Sequence, residues 1–155
     1  NTRHREYWIM DMQLLRKEVE ADEGCVNKIY KDHLGYPTFG IGHLITPDDE
    51  EHGKPVGTAI SAERVSAIFR EDIEDVIDDC KRLFKDLDDL PEDCQRILAN
   101  MMFNMGYSRL KKFRKMRSAI TNRDWNEAAV QMKDSLWARQ VPNRANRLIE
   151  RMKAL

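Results

Sequence analysis

The sequence predicts an α+β protein in which a small β-hairpin lobe is joined by one long helix to an all-helical lobe. Three observations predict it. The first apolar residues recur at helical spacing, residues 27–45 switch to β-formers around a turn and a Gly-rich return, and from Ser61 onward the apolar patterns are helical. At 155 residues, 41% hydrophobic and 34% charged, the chain is globular and large enough to fold without a metal, disulfide or partner.

Taken in order, a first helix is predicted over residues 7–20, where Trp8, Met12, Leu15 and Val19 form one apolar stripe. Glu23 is expected just beyond it, with Gly24 as the stop. Ile29 and Tyr30 then favour a strand, His33 to Tyr36 a turn, and residues 37–45 a return strand. Gly40 and Gly42 weaken that strand and suggest a bend or a close backbone approach. Residues 47–57 read as a loop or irregular third strand. Ser61 is a plausible N-cap for a long helix carrying Val65, Ile68, Phe69, Ile73, Val76, Ile77 and Cys80. After a short irregular piece, Pro91 opens an apolar helix that Gly106 closes. Three more helices are expected over 110–120, over 125–137 behind an Asp124 cap, and from Pro142 onward. Met101, Met105, Trp125 and Trp137 are read as core.

Charge is segregated behind a formal net of −1. Residues 45–95 carry 6 Lys/Arg against 16 Asp/Glu, whereas residues 96–155 carry 14 against 4. The basic half would be drawn to a polyanion, either nucleic acid or an acidic wall polymer, unless these are simply solvated helix faces. No basic tract interleaved with aromatics and no zinc-finger spacing supports nucleic acid. The cysteines, Cys25, Cys80 and Cys94, are odd in number and far apart, as free thiols would be. No metal and no cofactor is implied. No apolar run is long enough to span a bilayer, and the N-terminal residues contain no signal-peptide core. The chain begins at Asn1 without a methionine, as a processed product or a piece of a longer polypeptide would.

The stretch 22–44 concentrates the chemistry. It places the carboxylates of Glu23 and Asp32, the hydroxyl of Thr38 and the imidazole of His43 within a short length of chain. Either acid alone would more often be a helix-end charge or a turn former. Together with Thr38 and the Gly40-Ile41-Gly42-His43 run they suit hydrolysis that needs one carboxyl to donate a proton and another to act on water.

These residues also carry a resemblance. Asp22-Glu23-Gly24, Lys28-Ile29-Tyr30-Lys31-Asp32, Gly35-Tyr36-Pro37-Thr38, Gly40-Ile41-Gly42-His43-Leu44, Phe103-Asn104-Met105-Gly106, Trp125-Asn126-Glu127-Ala128-Ala129-Val130 and Pro142-Asn143-Arg144-Ala145 together resemble the phage-type muramidases, the lysozymes of T-even phages and their relatives. The resemblance runs from about Gln13 to Ile149 and implies a two-lobed lysozyme-like fold. It divides a single 1–155 domain into an N-terminal helix (1–22), a β-lobe (23–60), a connecting helix (61–80) and a helical lobe (81–155). It implies Glu23 as catalytic acid, Asp32 as second carboxylate and Thr38 as the hydroxyl that positions water. It further implies that His43 pairs with Asp72, that Arg144 reaches Glu23, and that Leu44, Phe103, Met116 and Gln131 contact sugar. Met116 and Gln131 depart from the Ser and Asn expected there, and the segment from His43 to Ser61 is shorter than in the T-even enzymes.

The expected activity is cleavage, with inversion, of the β-1,4 bond between N-acetylmuramic acid and N-acetylglucosamine of bacterial peptidoglycan. The expected form is a monomer without nucleic-acid binding or membrane insertion. It is held in the host cytoplasm until it reaches the wall, or attached through its N-terminal segment to a larger tail or hub protein. Three rivals stand beside this reading: a catalytically silent wall-binding module, a nucleic-acid-binding protein, and an enzyme of the same fold acting on chitin.

Overall fold

A computed structural model describes residues 10–155, so Tyr7 and Trp8 of the expected first helix lie outside the described residues. The described chain forms eight α-helices and a three-stranded antiparallel sheet of order β1-β2-β3, the α+β class expected. It divides into two compact units, Arg16–Asp75 and residues 10–15 with Val76–Leu155, whose boundaries fall inside helices rather than in linkers.

α1 (Met12–Glu23), most of which belongs to the unit Arg16–Asp75, starts where Asp11 Oδ1 accepts the Leu14 N–H at 3.0 Å. The helix runs three residues past the expected end, so Glu23 is its last residue rather than a residue beyond it. The reason is that the break comes only at Gly24, whose N–H still bonds back to Glu20. β1 (Val26–Lys31) pairs with β2 (Pro37–Gly40) through a turn in which the Gly35 N–H returns to the Asp32 carbonyl. The expected return strand over 37–45 is interrupted. β3 (His43–Leu44) is separate, because Gly40 and Gly42 both take φ of 64° and swing the chain round.

Residues 57–60 then bond to β1 through Ile29 and Asn27, so the end of the loop is tied to the sheet. Strand alternation puts Ile29, Phe39 and His43 on one side, all buried, and Tyr30, Thr38 and Leu44 on the other. Ile29 and Phe39, with no exposed surface, each contribute on the order of 2 kcal/mol by leaving water.

α2 (Ala62–Leu83) is longer than the expected 61–80. Ser61 Oγ caps it by accepting the Arg64 N–H at 3.0 Å, and Glu63 in its first turn and Lys81 and Arg82 in its last complement the helix dipole. Val65, Ile68, Phe69, Ile73, Ile77 and Cys80 are its buried stripe.

In the other unit, α3 (Glu92–Met105) is buried on nearly every side and ends at Gly106, as its broad apolar pattern predicts. The expected helix over 110–120 is two, α4 (Tyr107–Lys111) and α5 (Arg114–Thr121). Phe113 leaves the helix between them and sets its ring edge-on to Trp137, with centroids 6.5 Å apart. The expected helix over 125–137 is also two. α6 (Trp125–Lys133) is capped by Asp124, and α7 (Leu136–Gln140) is capped by Ser135, whose Oγ accepts the Ala138 N–H. α8 (Pro142–Lys153) packs against α3, α6 and α7. Met101, Met105 and Trp137 are buried as expected, but Trp125 is only half-buried because it opens α6 at the surface.

Candidate active site

Glu23 is placed by the end of α1 and by the backbone of Gly42. A β-carbon at Gly42 would stand 2.9 Å from Glu23 Oε1, so the absence of a side chain there makes room for the carboxyl. Gly42 thus serves both the positive φ and the close approach.

Asp32 and Thr38 are fastened to one residue, Tyr36. Asp32 Oδ1 accepts the N–H of Leu34 and of Tyr36, both at 2.9 Å, and the Asp32 N–H donates to the Tyr36 carbonyl at 2.9 Å. Thr38 Oγ1 donates to that same carbonyl at 2.9 Å. Two consequences follow for chemistry. Asp32 Oδ2 carries no hydrogen bond among the described residues. The Thr38 proton is committed, so its oxygen faces the site as an acceptor. Thr38 is buried and Asp32 half-buried.

Tyr30 joins these groups. It lies opposite Thr38 in the β1–β2 register, and so shares that face of the sheet. Burial pushes its phenol above the ordinary range, and the charges of Glu23 and Asp32 push it the same way. One phenol therefore feels both carboxyls, and it pairs with Thr38 across the β1–β2 ladder. Sequence reading treated Tyr30 only as a strand former. The available signal was its spacing of two from Asp32, the residue just beyond the end of β1, which continued strand alternation would carry onto the same face.

His43 lies on the opposite face of the sheet. Its Nδ1 is 2.8 Å from Asp72 Oδ2 and its Nε2 2.7 Å from Asp49 Oδ2. Burial alone would lower its pKa, but the two carboxylates more than offset that and hold it above 6.5. Asp49 was missed from sequence because it sits in an irregular loop with no periodicity to aim it. It also accepts the Thr46 N–H at 2.8 Å. Burial opposes its charge, yet that bond and His43 together hold its carboxyl below the usual range. Next to it, Arg64 grips the buried Glu51 through Nε at 2.8 Å and Nη2 at 3.0 Å. The loop is therefore clamped to the start of α2 by an ionic network rather than by apolar packing.

Phe103, Met116, Gln131 and Arg144 lie in the unit that contains Val76–Leu155. Phe103 is half-buried on α3, and Arg144 is buried on α8, with its Nε donating to Asn100 Oδ1 at 2.8 Å. Met116 and Gln131 line one pocket of about 360 Å³, whose lining also includes Lys112, Arg114 and Lys115. Met116 has no exposed surface, so it bounds this pocket without offering a polar contact, and Gln131 donates one of its two amide N–H groups to Glu127 at 2.7 Å. Leu44 of β3, opposite Thr38 of β2, is half exposed at 49%. Among the described residues, no group of three or more His, Cys, Asp or Glu side chains is arranged to hold a metal, and no helix is long and apolar enough to cross a membrane.

The family model described as phage lysozyme matches residues 20–154. A probable T4-type lysozyme 2 of Dictyostelium discoideum is 32% identical over 154 residues, covering 87% of this chain and 91% of that protein. The pre-baseplate central spike protein Gp5 of Enterobacteria phage T4 is 34% identical over 84% of this chain but only 26% of its own length. The peptidoglycan hydrolase gp36 of Pseudomonas phage phiKMV is 31% identical over 88% of this chain and 15% of its own.

Proposed function

The chain belongs to the phage lysozyme family and is a glycoside hydrolase of that kind, and from this premise we propose that it cleaves bacterial peptidoglycan between N-acetylmuramic acid and N-acetylglucosamine, with inversion. The observation that carries the reading is the division of labour on one sheet face. Glu23 is held by Gly42, Asp32 has one committed and one uncommitted oxygen, and the hydroxyl of Thr38 can only accept.

In this mechanism Glu23 protonates the oxygen of the leaving sugar as the glycosidic bond breaks. The positive charge that develops on the ring is met on the opposite side by water. One water proton is directed to Thr38 Oγ1 and the other to Asp32 Oδ2, which turns a lone pair of the water oxygen toward the anomeric carbon. Asp32 takes the proton as the new C–O bond forms, and proton exchange with solvent restores both acids. Two carboxyls that handle separate protons, with a water between one of them and the sugar, give the inverting outcome.

Turbidity clearing of purified peptidoglycan tests the assignment. Wild type is expected to clear it, and Glu23→Gln to lose on the order of 10³-fold or more, as loss of a general acid requires. Equal rates would overturn the role of Glu23. Reducing muramic acid ends that first appear as the inverted anomer support the stereochemistry, and anhydro ends exclude water as the nucleophile. The match to one part of a central spike protein supports a second delivery route for this chain, as a module of a phage tail.

A further inference from the structure

The hairpin turn beside Asp32 ends in a large exposed ring. Tyr36 is 55% exposed, although every polar group of its main chain is engaged by the two residues that handle water. Its N–H goes to Asp32 Oδ1, and its carbonyl takes both the Asp32 N–H and the Thr38 hydroxyl. Pro37 follows it, which restricts the Tyr36 backbone to the extended region. The position of the ring relative to Asp32 is thus fixed to within the rotation of two side-chain bonds, a small ordering cost on contact with a ligand.

Tyr36 directly precedes β2 and its carbonyl extends the ladder by taking the Asp32 N–H, so alternation carried back by two residues puts it on the face of Thr38; Leu44 of β3, paired with Thr38, lies on that face too, so an exposed apolar group stands on two sides of the buried hydroxyl. Neither carries charge, and neither belongs to the core. An apolar face next to a water-handling carboxylate suits a ligand that is polar at its edge and apolar on its flat side. A pyranose ring, with its axial C–H bonds against an aromatic face, is such a ligand.

We propose that Tyr36 is a substrate-positioning residue whose ring stacks on the hexosamine of the glycan strand held beside Asp32. This rests on the peptidoglycan reading above and extends it to a contact that the carboxylates themselves do not supply. Through the shared main chain, the sugar on the ring and the water on Asp32 and Thr38 are referred to one rigid turn.

The test separates binding from turnover. In a Glu23→Gln background, sedimentation with purified peptidoglycan is expected to show about tenfold weaker binding for Tyr36→Ala, the loss expected when most of an aromatic contact is removed. Tyr36→Trp is expected to restore it, with a change in tryptophan emission when soluble glycan strands are added. With Glu23 intact, Tyr36→Ala should raise KM by a similar factor and leave kcat within about twofold. Circular dichroism of each variant checks that the hairpin is retained. Unchanged binding and KM would overturn the proposal. So would a fall in kcat at constant KM, which would make the ring a support for Asp32 rather than a sugar platform. If no variant turns over peptidoglycan, the binding comparison still decides the role of Tyr36, while the hydrolytic reading fails on its own. No binding even with Tyr36 present would overturn both.

Discussion

Replacing Gly42 by alanine isolates the contact that holds Glu23. The added methyl would lie 2.9 Å from Oε1, 3.4 Å from Cδ and 3.5 Å from Cβ of Glu23, and ordinary contact begins near 3.4 Å. The carbon atoms can therefore stay, while the carboxyl oxygen must retreat by about 0.5 Å or turn away. A displacement near half an ångström of the proton donor costs on the order of tenfold to a hundredfold in rate. The backbone cost of an alanine at φ 64° adds about 1–2 kcal/mol to instability.

Gly40 provides the matched control, because it has the same φ and a different neighbour. A β-carbon there would meet the Val65 side chain at 3.2 Å. Val65 is buried, so Gly40→Ala adds roughly 1–3 kcal/mol of overpacking to the same backbone cost. The expected result is crossed. Gly40→Ala is the less stable in urea denaturation, yet clears peptidoglycan at nearly the wild-type rate per folded molecule. Gly42→Ala is the more stable and the less active. Equal activity losses in the two variants, or a wild-type rate for Gly42→Ala, would refute the claim that Gly42 serves Glu23.

Two further perturbations address the clamp behind the sheet. The raised pKa of His43 contributes stability that is complete below its ordinary 6.5 and lost as pH rises through the raised value; the lowered pKa of Asp49 contributes stability that is present above 3.8 and lost on acidification. The stability difference between wild type and Asp49→Asn, followed by thermal denaturation, should therefore be largest between those two values and shrink on either side. A difference that stays constant from pH 5 to about 9 would contradict the pairing. Arg64→Met leaves Glu51, 3% exposed, without its bidentate partner. It should cost about 2 kcal/mol in urea denaturation, less than the roughly 3–5 for a fully buried pair because Arg64 is a quarter exposed. Adding Glu51→Leu should recover part of that loss, and no recovery would mean that Arg64 acts through its packing instead.

Periodicity and punctuation carried most of the fold into view. The α1 stripe, the Ser61 and Asp124 caps, Pro91, Pro142 and Gly106 all act locally, through forces between residues a few positions apart. The failures are of two kinds. The break at Ser135 was local and readable, since a serine directly before an apolar pair is a candidate cap, but a continuous apolar pattern masked it. The break at Phe113 was not readable, because it follows from where that ring meets Trp137, 24 positions away. In the site, Glu23, Asp32 and Thr38 stood out as residue types with few cheaper explanations in combination. Asp49 and Tyr30 did not. The first is aimed by a loop without a repeating pattern, and the second is indistinguishable from any strand tyrosine until its register against Thr38 is known.

In the proposed mechanism the two oxygens of Asp32 do different work, Oδ1 closing the turn and Oδ2 acting as the base, and this has an evolutionary consequence. An asparagine in its place could turn its own carbonyl oxygen toward the Leu34 and Tyr36 N–H groups and close the hairpin as the acid does. What it would lose is the base. Aspartate and asparagine codons differ at one nucleotide, so a lineage could pass from an enzyme to a folded but silent wall ligand in a single step, and return by the same step.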